Sequence, residues 1–352
     1  MPLSFARRAT VSLAAVALTA VGCGTVTQLS ARQELSNAFG SLDDQSTLGL
    51  SISLDVPAER LVELAAAEGD GLSLDQAELL AGSSVAVTVA SPDGQPLQSL
   101  APDVTPSMGI AVVTPDGELA ELRLVDRDLY ARADVARIAS LAGSPAPDAS
   151  ELGIDGVRGL EFVPDALAGR WLVADGDQLE AMGQQFAPST TPSSEPDPST
   201  LDKLRDKVGA AFDRSVTVTA DGQDATLGQR YLLQASPRRL LGEIPGLLDG
   251  LGTAQGDLGP LLDPMTEDLS SVPDEPATLA VYVRDGVASA VRLDLGQFAD
   301  DGSLDGVALL VRFTRSDDGV DAPAGATPVD VPALAQLLLF SGMAGGGDNP
   351  GA

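Results

Sequence analysis

The chain has no histidine, and it has a single cysteine among 352 residues. Without histidine it cannot carry out Ser-His-Asp or Cys-His catalysis, and it has no imidazole ligand for a metal. One cysteine cannot form an intramolecular disulfide or a multi-thiolate metal centre. We therefore expect no cofactor and no zinc, iron or copper site of the common kinds.

Lysine and aromatic residues are also scarce. Lys203 and Lys207 are the only lysines, and aromatic residues make up 3% of the chain. With 51 Asp and Glu, a pair of carboxylates acting as in a glycosidase stays open on residue types. Sugar sites usually stack their ligand on aromatic rings, which argues against this option. We therefore expect that this protein is not an enzyme.

The third shortage is positive charge, since 21 Lys and Arg stand against 51 Asp and Glu, for a net charge of −30. A polyanion would be repelled, so nucleic acid is not expected as a partner. An anionic bilayer surface would repel the chain as well, so any membrane attachment must come from a lipid rather than from a basic patch.

The lone cysteine, Cys23, follows a basic and then an apolar segment. Arg7 and Arg8 precede the uncharged run "ATVSLAAVALTAVG", residues 9–22. This is the layout of a signal peptide, and the run is shorter than the roughly 20 residues that a membrane-spanning helix needs.

The small residues Ala20, Val21 and Gly22 before Cys23 resemble the lipobox of bacterial lipoproteins. The resemblance implies that residues 1–22 are removed and that Cys23 receives diacylglycerol and fatty acids such as palmitate. The chain would then be anchored at the extracytoplasmic face of the cell membrane. An ordinary secretory signal that leaves Cys23 as a free thiol is the alternative, and the choice between general and twin-arginine export stays open.

Composition divides the remaining chain. Residues 23–47 are interpreted as the lipidated N-terminus and a tether, in which "ARQELSNAFGSL" begins a helix. Residues 48–341 form the folded domain, and residues 342–352 are rich in glycine and predicted to be disordered. The Pro-, Ser- and Thr-rich stretch 187–200 is a linker or an exposed loop, so one domain and two domains both stay open.

The periodicity within this domain alternates between strand and helix. Leu48 to Val56 places apolar side chains at every second position, which predicts a half-buried strand. Helical spacing follows up to Gly69 and again from Ser73 to Gly82. Turn sequences at Pro115–Glu118 and Asp285-Gly286 predict hairpins. We therefore predict an α+β protein with an antiparallel sheet and helices on one side.

Four segments carry a family resemblance: "DLYARADVARIASLAG" (128–143), "GRWLVADGDQLEAM" (169–182), "GQRYLLQAS" (228–236) and "ATLAVYVRDGVASAVRLDL" (277–295). Their order is similar to that of actinobacterial lipoproteins of the LppX and LprG type, whose fold resembles LolA and LolB. The resemblance implies a curved antiparallel half-barrel with helices packed on its concave side. It also implies a non-enzymatic carrier of a lipid, lipoglycan or other amphiphile. The alternative is a scaffold lipoprotein that binds another envelope protein and has no ligand cavity.

Trp171 is the one candidate for a ligand-binding residue, at the mouth of such a cavity, although a single tryptophan is more often a packing residue. The acidic clusters at 126–128, 175–177, 300–302 and 316–321 could suggest calcium. None of them has the spacing of a calcium loop, and Asp-Gly is common turn chemistry, so turns are the preferred interpretation.

Overall fold

The structure is a computed structural model. It describes residues 28–42, 44–69, 71–101, 104–148, 150, 157, 159–186, 207, 210–212, 214–239, 242, 274–299, 302–315 and 319–333. The predicted signal peptide with Cys23, the stretch 187–200 and the tail 342–352 lie outside the described residues. Most of the predicted closing helix, 334–340, lies outside them as well.

Six helices and twelve strands are described in chain order. The helices are α1 (28–42), α2 (Ala58–Glu68), α3 (Leu74–Ala81), α4 (Val135–Leu141), α5 (Val163–Leu167) and α6 (Gly176–Phe186). The strands are β1 (Thr47–Asp55), β2 (Ser84–Ala90), β3 (Ser107–Thr114), β4 (Gly117–Val125), β5 (Asp128–Ala133), β6 (Leu172–Ala174), β7 (Thr217–Asp224), β8 (Gly228–Ala235), β9 (Ala277–Arg284), β10 (Val287–Asp294), β11 (Ala308–Arg315) and β12 (Thr327–Pro328).

Local chemistry fixes several of these boundaries where the sequence predicts them. Ser73 caps α3 through a reciprocal capping box with Gln76, which satisfies free amides of the first turn. Gly69 ends α2 with a φ of 86°, a left-handed conformation that favours glycine. The β9–β10 hairpin turns at Asp285 and Gly286, both of which have positive φ.

The chain divides into two compact units, each built from two separate stretches. One unit takes its residues from Asp43–Thr190 and Leu309–Ala352, and we call it the Trp171 unit. The other takes its residues from Met1–Leu42 and Thr191–Ala308, and we call it the Tyr231 unit.

The Trp171 unit contains strands in the order β12-β6-β5-β4-β3-β2-β1-β11. The pairs from β1 to β6 are antiparallel, and β12 pairs with β6 in parallel. The predicted α+β class is therefore confirmed, with one parallel strand pair added by the last short strand. That strand has two residues, too few to show a periodic pattern.

The Tyr231 unit contains the antiparallel meander β10-β9-β8-β7. Helix α1 packs on this sheet through a stripe of four side chains that are at most 5% exposed: Ala31, Leu35, Ala38 and Leu42. Their spacing places them on one helix face. The sheet contributes Val218, Tyr231 and Val281 to the same core. Part of the predicted tether is therefore a core element of this unit.

Candidate functional site

The candidate site is one face of the sheet in the Trp171 unit, where apolar side chains follow one another across five strands. Residues directly opposite each other on antiparallel strands share a face. The register gives three apolar rows, which together we call the open face. The rows are Leu48, Val89, Met108, Leu124, Leu129; Leu50, Val87, Ile110, Leu122, Ala131; and Ile52, Val85, Val112, Ala120, Ala133.

None of these fifteen side chains is buried. Six of them are between 36% and 45% exposed: Ile52, Val85, Met108, Ile110, Val112 and Leu122. Monomeric soluble proteins rarely leave an apolar patch of this extent uncovered unless it has a function.

The described helices of this unit bury little apolar surface. Helix α2 is amphipathic but has no buried residue, and in α3 only Ala77 is buried. The two helices pack against each other, and α3 also contacts β1. Neither of these two helices therefore covers a large apolar surface.

The opposite face of the same sheet carries small and polar residues, and it is the covered one. Segment 319–329, which we call the strap, contributes Val320 to a buried cluster with Ala90 and Val125. The amide of Thr327 donates to the carbonyl oxygen of Trp171 over 2.8 Å, where β12 pairs with β6. The sheet thus closes its polar face and leaves its apolar face half open.

Trp171 lies on this polar face, between two arginines. The guanidinium carbons of Arg123 and Arg132 are 4.9 and 4.8 Å from the centroid of the indole ring, which is cation–π distance. Both arginines bond to Glu121, with Arg123 Nε 2.7 Å from Oε1 and Arg132 Nη2 2.7 Å from Oε2. Arg123 also donates to the carbonyl oxygen of Asp321 in the strap.

The electrostatics of Glu121 follow from this arrangement. Burial alone would raise the pKa of the Glu121 carboxyl. The hydrogen bonds and charges of Arg123 and Arg132 outweigh burial, so this pKa lies below its ordinary value. Glu121 is therefore a fixed anion that holds two arginines and, through them, Trp171 and the strap. Trp171 packs here, on the side of the sheet away from the three apolar rows.

Sequence analysis did not predict the cluster of Glu121, Arg123 and Arg132, although the sequence contains a signal for it. Glu121 and Arg123 are two positions apart on one strand, so they share a face. Counting back through the hairpin at Asp126–Arg127 places Arg132 directly opposite Glu121. The contact with Asp321, almost 200 residues away, had no such signal.

Cavities among the described residues have mixed linings. One of about 480 Å³ lies at the end of the third apolar row, between Ala120, Ala133 and Leu167, and is bordered by Glu118, Arg132 and Asp134. One of about 700 Å³ is lined by Phe162, Pro328 and Val329. The continuous apolar surface of this unit lies on the open face rather than in these cavities.

The acidic clusters that the structure describes lie in turns and caps, as the sequence predicted. Asp126 has positive φ in the β4–β5 turn, and Asp175 accepts the amide of Gln178 in the first turn of α6. In the β7–β8 turn the amides of Leu227 and Thr226 hold the pKa of Asp224 below its ordinary value. The described residues hold no group of three His, Cys, Asp or Glu arranged for a metal ion.

No protein-family model and no curated protein matches this chain. Among solved structures, it is similar to the Mycobacterium tuberculosis lipoprotein LppX, with 8% identity, a TM-score of 0.32, and coverage of 83% of this chain and 98% of LppX. It is also similar to LprF from Mycobacterium bovis, with 11% identity, a TM-score of 0.33, and coverage of 84% and 98%. LppX is one of the lipoproteins that the sequence resembles.

Within the described part of the chain, no helix combines the length and apolar character needed to cross a bilayer.

Proposed function

We propose that this protein is a lipid-anchored envelope lipoprotein that holds or carries an amphiphile, with the acyl chains lying on the open face. The anchor is the predicted lipid on Cys23, at the extracytoplasmic face of the cell membrane. The role needs no catalytic residue, because transfer of an acyl chain out of water supplies the binding free energy.

The exposure of the three apolar rows is the observation that supports this proposal. Burying an acyl chain gains about 0.8 kcal/mol per CH₂ group. A row of five strands is about 19 Å wide at roughly 4.8 Å between neighbours, enough to accommodate a long acyl chain. The side chains of Ala120, Ala131 and Ala133 are small and leave room above the sheet toward β5. A ligand there would replace water at Ile110 and Leu122, the most exposed members.

The proposal is tested by lipid recovery. Residues 24–352 are produced without the anchor in the native host and analysed by native mass spectrometry and lipid extraction. We expect a co-purifying amphiphile. Leu122→Gln should lower its occupancy several-fold, because it places an amide in the second of the three apolar rows.

Leu29→Gln is the matched control, since it makes the same change at an exposed position of the Tyr231 unit and should leave occupancy unchanged. If no lipid is recovered, or if both variants lose lipid equally, the open face is not the binding surface.

An interaction lipoprotein is the second candidate, because a half-exposed apolar sheet face would also suit a protein partner. The two roles differ in what protects the face. A carrier keeps Leu122 shielded in the isolated protein as purified with its lipid, whereas an interaction lipoprotein shields it only after an envelope protein binds. Hydrogen exchange of β3 and β4 before and after delipidation distinguishes them.

A further inference from the structure

The chain between the predicted anchor and the first described helix is short. Cys23 and Gln28, the first described residue of α1, are five residues apart. A fully extended chain covers at most about 3.6 Å per residue, so their Cα atoms are at most about 18 Å apart. Lipidation of Cys23 would therefore hold the N-terminal end of α1 next to the bilayer surface.

This end of α1 lies at one end of the four-stranded sheet of the Tyr231 unit. The guanidinium of Arg32 hydrogen-bonds to the carbonyl oxygen of Val216, which directly precedes β7. Further along the helix, Tyr231 in the middle of β8 hydrogen-bonds to Glu34. The helix thus begins where β7 begins, and the register places the start of β9 at the same end.

Large apolar side chains are exposed at this same end. Leu29 is 67% exposed and lies outside the stripe with which α1 contacts the sheet. Phe212, whose carbonyl oxygen accepts the amide of Val216, is 39% exposed. Phe298 is 48% exposed, and the neighbouring Gln297 bonds to the backbone of Thr278 at the start of β9.

These three residues converge on one end although they come from three separate parts of the sequence. The other exposed large apolar side chain described in this unit is Phe39, almost three turns beyond Leu29 along α1. Charges of both signs lie near this end, among them Asp274 beside Ser236 and Arg214 between Phe212 and Val216, so the basis of the contact is the apolar side chains.

We propose that the end of the Tyr231 unit formed by Leu29, Phe212 and Phe298 rests on the bilayer, with these side chains in the lipid interface. The proposal depends on the predicted lipidation of Cys23 and names the surface that the anchor brings to the membrane. Three side chains alone would bind a bilayer weakly, but the covalent lipid tether makes their contact with the bilayer intramolecular.

Single-site fluorescence tests the proposal on the full, lipidated chain. Because Cys23 is the only cysteine and its sulfur would be blocked by lipid, Leu29→Cys, Phe212→Cys and Phe298→Cys each introduce one thiol for a bimane label. The proteins are reconstituted into phosphatidylcholine vesicles with or without brominated acyl chains, which quench only labels at acyl-chain depth.

Asp285→Cys is the matched control in the same sheet. Asp285 lies in the β9–β10 turn, eight residues of β9 away from the proposed contact, or about 26 Å along the strand. We expect brominated lipid to reduce emission from labels at 29, 212 and 298 and to leave the label at 285 unchanged.

Equal quenching at all four sites, no quenching at any site, or quenching at 285 alone would overturn the proposal. A blue shift at 29, 212 and 298 without quenching would assign this end to a protein contact instead and would also overturn it. The Cys23→Ser form of each labelled protein should lose the quenching, and persistence would show that the tether does not create the contact. Lipid recovery from residues 24–352 does not depend on these outcomes, so the two proposals can fail separately.

Discussion

The apolar strand faces of the two units differ in how they are covered. In the Tyr231 unit the apolar face is closed by α1, and Val218, Tyr231 and Val281 are at most 2% exposed. In the Trp171 unit the three apolar rows of the open face contain no buried residue, and the polar face is the one that the strap covers. Apart from the short strands β6 and β12, the strands of the two units have similar lengths, and their described pairs other than β6–β12 are antiparallel. The difference shows that strand patterning sets which side chains share a face, while the covering element decides which face becomes a core.

Shortening a side chain in the closed face should have the largest effect. Leu35→Ala removes a buried side chain of α1 and should lower the free energy of unfolding by about 2–4 kcal/mol. Ile110→Ala on the open face removes a side chain that is already 41% exposed and should cost about 1 kcal/mol or less. Urea unfolding of the two variants measures the difference. Equal losses would mean that the two faces are equally packed in solution.

The second-largest effect on the free energy of unfolding should come from the covered polar face. Glu121→Gln removes the charge that holds Arg123 and Arg132, and we expect a loss of about 1–3 kcal/mol. The single tryptophan reports on this site, because Trp171 lies between those arginines. Its fluorescence should change in Glu121→Gln, whereas Ile110→Ala on the other face of the sheet should leave it unchanged.

Protonation of Glu121 at low pH should destabilise the protein in the same way as Glu121→Gln. The pKa of Glu121 is lower in the folded protein than its ordinary value of 4.5. Its contribution to stability is therefore present above pH 4.5 and is lost as the pH falls below that value through the folded-state pKa. A fluorescence transition of Trp171 in this range should be present in the parent protein and absent from Glu121→Gln. A transition of unchanged size in the variant would assign it to other carboxylates.

The smallest effect should come from the contact that joins α1 to the closed face. Tyr231→Phe removes a hydrogen bond to Glu34 and should cost about 1 kcal/mol. Burial and the Glu34 carboxylate both raise the pKa of Tyr231 above its ordinary value of 10.0, so its contribution is present below pH 10 and is lost as the pH rises above it. The Phe variant should lack this part of alkaline destabilisation. Glu34→Gln keeps an acceptor and should differ little from the parent at pH 7.

Much of the fold follows from local sequence signals. Alternation in Leu48–Val56, the capping residue Ser73 and the turn at Asp285-Gly286 each predicted an element that the structure contains. The strands β6 and β12 are too short, at three and two residues, to produce a readable period. Local patterning predicted the apolar row of β1 but not its exposure, because exposure depends on how helices and the strap are placed.

The candidate site was less accessible to sequence analysis for a related reason. The sequence makes Trp171 a candidate for a ligand mouth, with packing as its more common role, but its neighbours Arg123 and Arg132 are set by strand register over some 40 residues. The strap contact with Asp321 depends on a chain return of almost 200 residues. Neither can be derived from spacing within a single segment. Cys23 is the opposite case, since its predicted role rests entirely on local sequence and lies outside the described residues.

The division of each unit into two distant stretches has a consequence for export. Helix α1 emerges first, but its partners in β7–β10 follow roughly 180 residues later, and the strap that completes the Trp171 unit emerges last of all. If the chain is exported unfolded and N-terminus first, α1 must therefore wait for β7–β10, and the strands of the Trp171 unit must wait for the strap. The Tyr231 unit cannot be completed before residue 308 has emerged, and the Trp171 unit cannot be completed before the strap has emerged. A translocation-arrested chain whose exported part ends just before residue 319 should therefore be protease-sensitive in the Trp171 unit and protease-resistant in the Tyr231 unit.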